Sequence, residues 1–134
     1  MIETRRSTIA ELSYDEKESL LHIKILEGAE MNLENTVEHY KTIEKITGGQ
    51  KYLALVDASE YFNIDPDALK YTSLPETIEK RIATAHYNSV FGNKLTIDFF
   101  RKVHKPALPI NIFDTKEEAI VWLKRQWKES ANRN

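Results

Sequence analysis

Apolar and polar residues alternate near the start of the chain, a pattern typical of half-buried β-strands. Residues 7–14 alternate loosely and residues 19–26 more regularly, with the polar residues 15–18 between them. We therefore predict two antiparallel strands joined by a hairpin turn. Leu20 and Leu26 add apolar side chains to the second face of the later strand, which favours its burial on both sides.

A helix and then a buried strand are predicted next. Asn32 can cap a helix whose apolar positions recur every three or four residues over 33–46, and the glycine pair at 48–49 is a strong stop. Residues 51–56 form a short, nearly continuous apolar run that ends at Asp57. Such a run is typical of a central parallel strand that helices cover on both faces.

The second half of the chain repeats this alternation of helix and strand. Asp65 and Pro66 mark a helix start, because Asp is a favoured N-cap and Pro is tolerated at the first helical position. We expect Pro75 to kink this helix or to begin a second segment. Residues 81–87 and 109–113 predict two further strands.

A helix is predicted between these two strands, with Asn88 and Ser89 as its cap and its end before Pro106. Its apolar residues recur at helical spacing, so we expect them to form its buried face. They are Phe91, Leu95, Phe99 and Val103, widened by Ile97 and Phe100.

The last helix is predicted to begin at Asp114, with Glu117 completing a capping box. Its apolar positions include Ile120, Leu123 and Trp127. Residues 130–134 form a polar tail that we expect to be frayed.

The resulting element order, β-β-α-β-α-β-α-β-α, predicts an α/β fold. Strands that alternate with helices imply parallel strands joined by right-handed crossovers. We therefore predict a mixed, mostly parallel five-stranded sheet flanked by four or five helices. A chain of 134 residues has the usual length of one domain, so we expect residues 1–134 to form a single domain.

Composition and charge exclude several classes of function. The net charge of −2 is too balanced for nucleic acid as the main partner, because phosphate binding needs an excess of Lys and Arg. The absence of cysteine excludes disulfides and thiolate chemistry and fits a reducing cytoplasm. Apolar runs fall far short of the roughly 20 residues that a membrane-spanning helix needs, so we expect no integral membrane segment.

Candidate site residues gather where the predicted parallel strands end, since ligands of open α/β sheets bind beyond the carboxyl ends of the strands. Asp57, Ser59, His86, Asn88 and Ser89 belong to this edge. An Asp, a Ser and a His could make a hydrolase set, but no Gly-x-Ser-x-Gly elbow is present. The histidines lack metal-site spacing, and no phosphate loop occurs. We therefore predict no catalytic residue, metal or cofactor.

Aromatic side chains are the other candidates for binding. Tyr61 and Phe62 follow the strand that ends at Asp57 and would be exposed unless something covers them, and exposed apolar pairs mark partner surfaces or pocket mouths. Phe99 and Phe100 could help to enclose an apolar ligand. Beside them on the same helix lies a modest basic cluster, which is either a solvated face or a docking patch for an acidic partner surface or a lipid head group. Its members are Lys94, Arg101, Lys102, His104 and Lys105.

Three stretches of the chain together resemble the small bacterial SpoIIAA-like proteins of the STAS/SEC14-type group. They are Leu55-Val56-Asp57 followed by an Asp-Pro helix start, residues 93–100 running on to His104-Lys105-Pro106, and residues 109–123 with their Glu-Glu-Ala and Trp-Leu pairs. The similarity covers roughly residues 5–125. It implies a mixed sheet flanked by helices.

The resemblance also implies one of two functions: a phospho-switched protein-interaction role, as in anti-sigma factor antagonists, or the binding of an apolar ligand. Those antagonists carry a phosphorylatable Ser just past the third-strand Asp, at a helix N-terminus. Ser59 follows Asp57 by two positions, but Tyr61 and Phe62 come before the helix start at Asp65, which departs from that pattern. We therefore expect a non-enzymatic interaction or regulatory module whose protein partner is unknown. A second copy of the chain, forming a homodimer, is one candidate for that partner. The alternative is a small carrier that holds an apolar or lipid-like molecule between helices and sheet.

Overall fold

The computed structural model describes residues 2–132 and consists, over that range, of eight strands and four helices. They are β1 (Ile2–Arg6), β2 (Ala10–Asp15), β3 (Leu20–Ile25), β4 (Glu30–Met31), α1 (Leu33–Thr47), β5 (Tyr52–Asp57), β6 (Asn63–Ile64), α2 (Pro66–Tyr71), β7 (Arg81–Tyr87), α3 (Phe91–Val103), β8 (Ile110–Phe113) and α4 (Lys116–Asn132). Six strands form one sheet in the order β1-β2-β3-β5-β7-β8, and β4 pairs with β6 in a small second sheet.

The main sheet is mixed and mostly parallel, as the sequence predicts. β3, β5, β7 and β8 are parallel neighbours, whereas β1 and β2 run antiparallel at one end. The predicted number of five strands is wrong by one, because β1 has no apolar alternation that would reveal it. Every residue of β1 is exposed, so only its backbone pairing with β2 holds it in the sheet.

The segments predicted with the strongest periodicity form as expected. Asn32 caps α1 in a capping box with Asn35, and Gly48 ends the helix in the left-handed conformation at φ 65°. β5 lies between β3 and β7, and its first five residues are buried. α2 begins at Pro66 after Asp65 as expected, but it ends at Tyr71. Pro75 therefore neither kinks this helix nor begins a second one, because residues 72–80 form turns and bends.

Helices cover the two faces of the sheet unequally. On one face, Leu53 and Leu55 of β5 pack with Ala119 and Leu123 of α4. On the other face, Ala54 and Val56 pack in a cluster with α1 residues, and α2 and α3 lie on this same side. Three helices therefore share one face, and α4 alone covers the other.

The predicted caps of the last two helices are wrong. α3 has Val90 as its N-cap, and Asn88, which adopts a left-handed conformation at φ 55°, lies two residues before that position. The capping box of α4 lies one residue later than predicted. The Thr115 hydroxyl accepts a hydrogen bond from the Glu118 amide at 3.2 Å and donates one to its carboxylate at 2.9 Å.

Three other expectations need correction. The early strand predicted over residues 7–14 begins only at Ala10, because the Ser7 amide donates a hydrogen bond to the Ala10 carbonyl and closes a turn. β3 is buried on one face only, with Lys24 exposed on the other. α4 continues through Asn132 into the predicted polar tail, whose residues 133 and 134 lie outside the described residues.

Candidate functional site

A cavity of about 120 Å³ lies between the main sheet and helices α1, α2 and α3. Strands β3, β5, β7 and β8 form its floor. Most of its wall is apolar, which is typical of a small-molecule pocket. Its apolar lining includes Ile23, Ile25, Met31, Val56, Phe62, Ile64, Leu69, Ile78, Ile97, Phe100, Leu108 and Ile110.

Strand β7 contributes three of the polar side chains of this cavity. They are Arg81, Thr84 and His86, and the other polar side chains come from α1, α3 and the end of α2. A register shift where β7 pairs with Tyr52 turns Arg81 onto the same face as Thr84, as β-bulges commonly do. The Nδ1 atom of His86 is buried and has no hydrogen-bond partner in residues 2–132.

Arg81 is the charged group of the cavity. Its Nε donates a hydrogen bond to the Tyr52 hydroxyl at 3.0 Å, and its guanidinium carbon lies 5.3 Å from the ring centre of Tyr40 and 5.4 Å from that of Tyr52. Burial alone would lower the pKa of Arg81, but interactions with Tyr40 and Tyr52 outweigh it and raise that pKa above its ordinary value. The side chain is therefore a cation held between two aromatic rings.

The two histidines of the cavity are neutral at physiological pH. Burial, and then the positive charge of Arg81, lower the pKa of His39 and of His86 to about 3 each. His39 lies in α1, where a hydrogen bond of 2.8 Å joins its Nδ1 to the Ser7 hydroxyl. The cavity wall thus carries one permanent positive charge and two uncharged imidazoles.

The predicted site residues fall into three separate places. Phe62, His86 and Phe100 line the cavity. Tyr61 and Phe99 are exposed at the surface, 55% and 50% accessible respectively. The remaining four lie at the end of β5 or in the turns that follow β5 and β7, and they are Asp57, Ser59, Asn88 and Ser89.

These four residues have positions and contacts typical of places where the chain reverses direction. The Asp57 carboxylate accepts a hydrogen bond from the Ser59 amide at 3.0 Å, so it shapes the turn after β5. Ser59 is half-buried in that turn, and β6 intervenes before α2 begins. Asn88 is exposed, and the buried hydroxyl of Ser89 has no hydrogen-bond partner within the described range. His86 and Asp57 do end neighbouring strands, but the side chain of His86 points into the cavity.

The outer face of α3 is the largest departure from the sequence-based expectation. Phe91, Leu95, Phe99 and Val103 were expected to be buried, but they are 74%, 56%, 50% and 57% exposed, and we call them the outer stripe. The buried residues of α3 are Asn93 and Ile97, with Phe100 half-buried beside them. The helix is apolar on both sides, and the sheet takes the side that carries Ile97.

Asn93 is a structural residue that the periodicity does not reveal. It is completely buried, and its amide nitrogen donates hydrogen bonds of 2.8 Å to the carbonyls of Ala58 and Glu60. Its side-chain oxygen accepts one from the Phe62 amide at 3.3 Å. These bonds tie the loop after β5 to α3. The only sequence signal was a polar residue four positions before Ile97 on the helix.

Gly92 permits a close contact between α3 and Tyr61. The ring of Tyr61 lies against this glycine, where a Cβ atom would stand 2.7 Å from it.

Arg81 lines the cavity but was not among the predicted site residues. The sequence feature that could have indicated it is a positively charged residue at the start of a strand that is otherwise buried.

Within residues 2–132, no cluster of three or more His, Asp or Glu side chains is placed to hold a metal ion. Of the helices in that range, none combines the length and apolar character needed to cross a membrane.

This arrangement of sheet and helices is the SpoIIAA-like fold. The crystal structure of an uncharacterized DUF3478-family protein from Shewanella loihica PV-4, which has a SpoIIAA-like fold, superposes with a TM-score of 0.56 over 92% of each chain. The two sequences are 17% identical, so the similarity establishes the fold alone. It confirms the fold that the sequence resemblance implies.

The chain itself belongs to the DUF7793 family, described as a domain of unknown function, whose model matches residues 14–126. No curated protein matches the chain.

Proposed function

We propose that this chain is a non-enzymatic protein-interaction module, acting in the cytoplasm, that docks an acidic partner segment on the outer face of α3. The observation that carries this proposal is the outer stripe. Four large apolar side chains at four-residue spacing are at least half exposed along one helix. Contiguous apolar surface of this kind marks interaction sites on soluble proteins.

The outer stripe has the dimensions of a helical docking face. Phe91 and Val103 are twelve positions apart, which corresponds to about 18 Å along the axis of an α-helix. Val90 and Tyr61 add exposed apolar surface near the N-terminal end of the helix, at 38% and 55% accessibility. A partner helix with apolar residues at matching intervals would cover this surface.

Charge supports an acidic partner. Lys94, Arg101 and Lys102 lie on α3 and Lys105 follows it, against the single carboxylate of Asp98. Asp98 is already engaged with Arg101 at 3.6 Å. Acidic residues flanking an apolar partner segment would therefore meet a surplus of positive charge, which favours association and its rate.

The same charge disfavours a homodimer through this face. Pairing α3 with α3 of a second copy would bring two basic helices together, and juxtaposed like charges are unfavourable at interfaces. An acidic partner removes that repulsion. We therefore favour a different protein over a second copy of the chain.

Site-specific photocrosslinking in the cells that produce the protein tests this proposal. A benzophenone amino acid in place of Leu95 should form an adduct with one partner protein, through a segment rich in Asp and Glu. The matched control is the same amino acid in place of Val121, which is 62% exposed on α4. Phe99→Glu in the Leu95 variant should abolish the adduct.

Several outcomes would overturn the proposal. An adduct with a second copy of the chain would indicate a homodimer, and an adduct with phospholipid would indicate a membrane surface. Equal adducts from positions 95 and 121, or none from position 95, would remove the outer stripe from consideration.

The cavity favours a second candidate function, the binding of a small apolar molecule. Its volume of about 120 Å³ is close to that of an engineered apolar cavity of about 150 Å³ that accepts benzene. Toluene is therefore expected to bind and to shift the NMR methyl signals of Leu69 and Ile97, which line the cavity. Unchanged spectra at saturating toluene would contradict this second function.

A further inference from the structure

Arg81 is a cation that has no carboxylate partner among residues 2–132. Three ion pairs occur among residues 2–132, and Arg81 takes part in none of them. The lining of the cavity contains neither Asp nor Glu in the described part of the chain. Arg81 is half-buried, and a charge that is partly removed from water is stabilised by a counter-ion, so such groups are commonly paired.

The contacts that Arg81 does make leave donors free. A guanidinium group has five N–H donors. Nε donates to the Tyr52 hydroxyl at 3.0 Å, and Nη1 makes a long contact of 3.4 Å with the Thr84 hydroxyl. The Tyr40 side chain adds a further hydrogen-bonding interaction with the guanidinium, and the faces of the Tyr40 and Tyr52 rings stabilise the cation. The guanidinium group therefore keeps N–H donors with which it could bind a carboxylate.

The rest of the cavity wall defines the body of a ligand. Beyond Arg81, the space is bounded mainly by aliphatic and aromatic side chains, with Ile97 and Phe100 above the sheet. A volume of about 120 Å³ suits one aromatic ring or a short branched alkyl chain. It is too small for a long-chain lipid.

His86 offers a second polar contact in the same cavity. Its buried Nδ1 has no partner among residues 2–132, and the ring lies on the same face of β7 as Arg81. Arg81 as a whole is half-buried, so its end of the cavity is not sealed from solvent. The cavity therefore has the charged group of Arg81 at its solvent-accessible end and an apolar space behind that group.

We propose that the cavity binds a small organic carboxylate, with the carboxylate on the guanidinium of Arg81 and an aromatic or branched alkyl body among the apolar side chains. This inference rests on the second candidate function, ligand binding in the cavity, and names the ligand class. It is independent of docking at the outer stripe.

Calorimetric titration of the full chain with phenylacetate, its neutral isostere phenylacetamide, and toluene tests the inference. Phenylacetate should bind at least about tenfold more tightly than phenylacetamide, because a hydrogen bond between two charged groups is stronger than one to a neutral amide. Arg81→Met should abolish this preference. Lys80→Met removes a neighbouring exposed cation and should preserve it.

The outcomes separate the ligand class from the function. Equal binding of phenylacetate and phenylacetamide to the unmodified chain would overturn the carboxylate class while leaving ligand binding intact, even if Arg81→Met failed to fold. A preference for phenylacetate that Lys80→Met abolishes as completely as Arg81→Met would also overturn it. Failure of all three compounds to bind would overturn both the class and the second candidate function.

Discussion

Asn93 acts as a connector between the loop after β5 and helix α3. Its three hydrogen bonds all go to backbone groups of residues 58–62, and its side chain is completely buried. That loop places Phe62 in the cavity wall and Tyr61 at the surface. One amide therefore positions residues of both candidate sites.

Replacing Asn93 with Ala is expected to lower the free energy of unfolding by about 3 kcal/mol, because a fully buried side chain is truncated, the Glu60 carbonyl and the Phe62 amide lose their partner, and the Ala58 carbonyl keeps only the Val90 amide. Urea denaturation measures this loss. Asn63→Ala is the control, since its exposed side chain accepts only the Tyr61 hydroxyl, and it should cost less than about 1 kcal/mol. Equal losses in both variants would contradict the connecting role.

His39 makes the stability of the fold depend on pH. Its pKa is lowered to about 3 by burial and by Arg81, below the ordinary value of 6.5 that it regains on unfolding. The unfolded state therefore binds the proton more readily, and the stabilisation is complete above pH 6.5 and is lost as pH falls from 6.5 towards 3. The expected contribution of His39 is about 2 kcal/mol lost between pH 6.5 and 5.

Urea denaturation at several pH values between 7 and 5 checks this dependence. His39→Gln should remove a decline that steepens from a small value at pH 7 to about 1.3 kcal/mol per pH unit near pH 5, although the variant is less stable at pH 7. His86, whose pKa is also lowered to about 3, should make a similar contribution that remains in this variant. An unchanged slope in His39→Gln would exclude His39 as a source of the pH dependence.

At the scale of secondary-structure elements, α3 combines a packed face and an exposed face that are both apolar. Ile97 is 5% exposed, whereas Leu95, two positions earlier, is 56% exposed. Most surface helices have one apolar and one polar face, which lets the sequence indicate orientation. In α3 that contrast is missing.

A matched pair of substitutions tests this orientation. Ile97→Ala is expected to cost about 2–4 kcal/mol of unfolding free energy, because it leaves a cavity in packed surroundings. Leu95→Gln should change stability by less than about 1 kcal/mol, since its side chain is largely in solvent. Thermal and urea denaturation provide the comparison. A larger loss for Leu95→Gln than for Ile97→Ala would reverse the assignment of the faces.

Whether a segment shows a clear contrast between apolar and polar positions explains how far the sequence predicts this structure. α1, β5 and β7 were predictable, because continuous apolar runs or a one-sided stripe are bounded by caps and glycines. β1 was missed because its residues are all exposed. The cap of α4 was misplaced by one residue because Asp114 and Thr115 are both good caps and only the hydrogen bonds of Thr115 distinguish them.

Among the candidate site residues, those near Asp57 and His86 were predictable from strand ends. An apolar space between helices and sheet was the alternative that the sequence offered, but its lining was not predictable, because it depends on which face of α3 meets the sheet and on the register shift that turns Arg81 inward. Neither depends on local sequence pattern. Both are decided by how the helices pack on the sheet.

At the scale of the whole molecule, order should decrease from the centre of the sheet towards β1. β5 has hydrogen-bonded neighbours on both sides and is buried between helices, whereas β1 pairs with β2 alone. Strands of the first kind open only by global unfolding, and exposed edge strands open locally.

Native-state hydrogen exchange is therefore expected to separate the two strands. Amides of β1 that donate to β2 should have opening free energies at least about 2 kcal/mol lower than those of β5. Residue-resolved NMR exchange measures the difference. Identical opening free energies would show that the sheet unfolds as one unit, including its edge.

The exposed position of β1 also bears on how the protein avoids aggregating with its own copies. An open sheet edge presents unpaired backbone groups that another chain can extend, which is a route to aggregates. Glu3, Arg5 and Arg6 place charges of both signs along this five-residue strand, with Arg5 and Glu3 joined at 2.7 Å. An approaching strand would have to strip water from these charges. β1 thus contributes little to the hydrophobic core. Its main role is to cover β2, so that the more hydrophobic strands are not themselves exposed at this edge of the sheet.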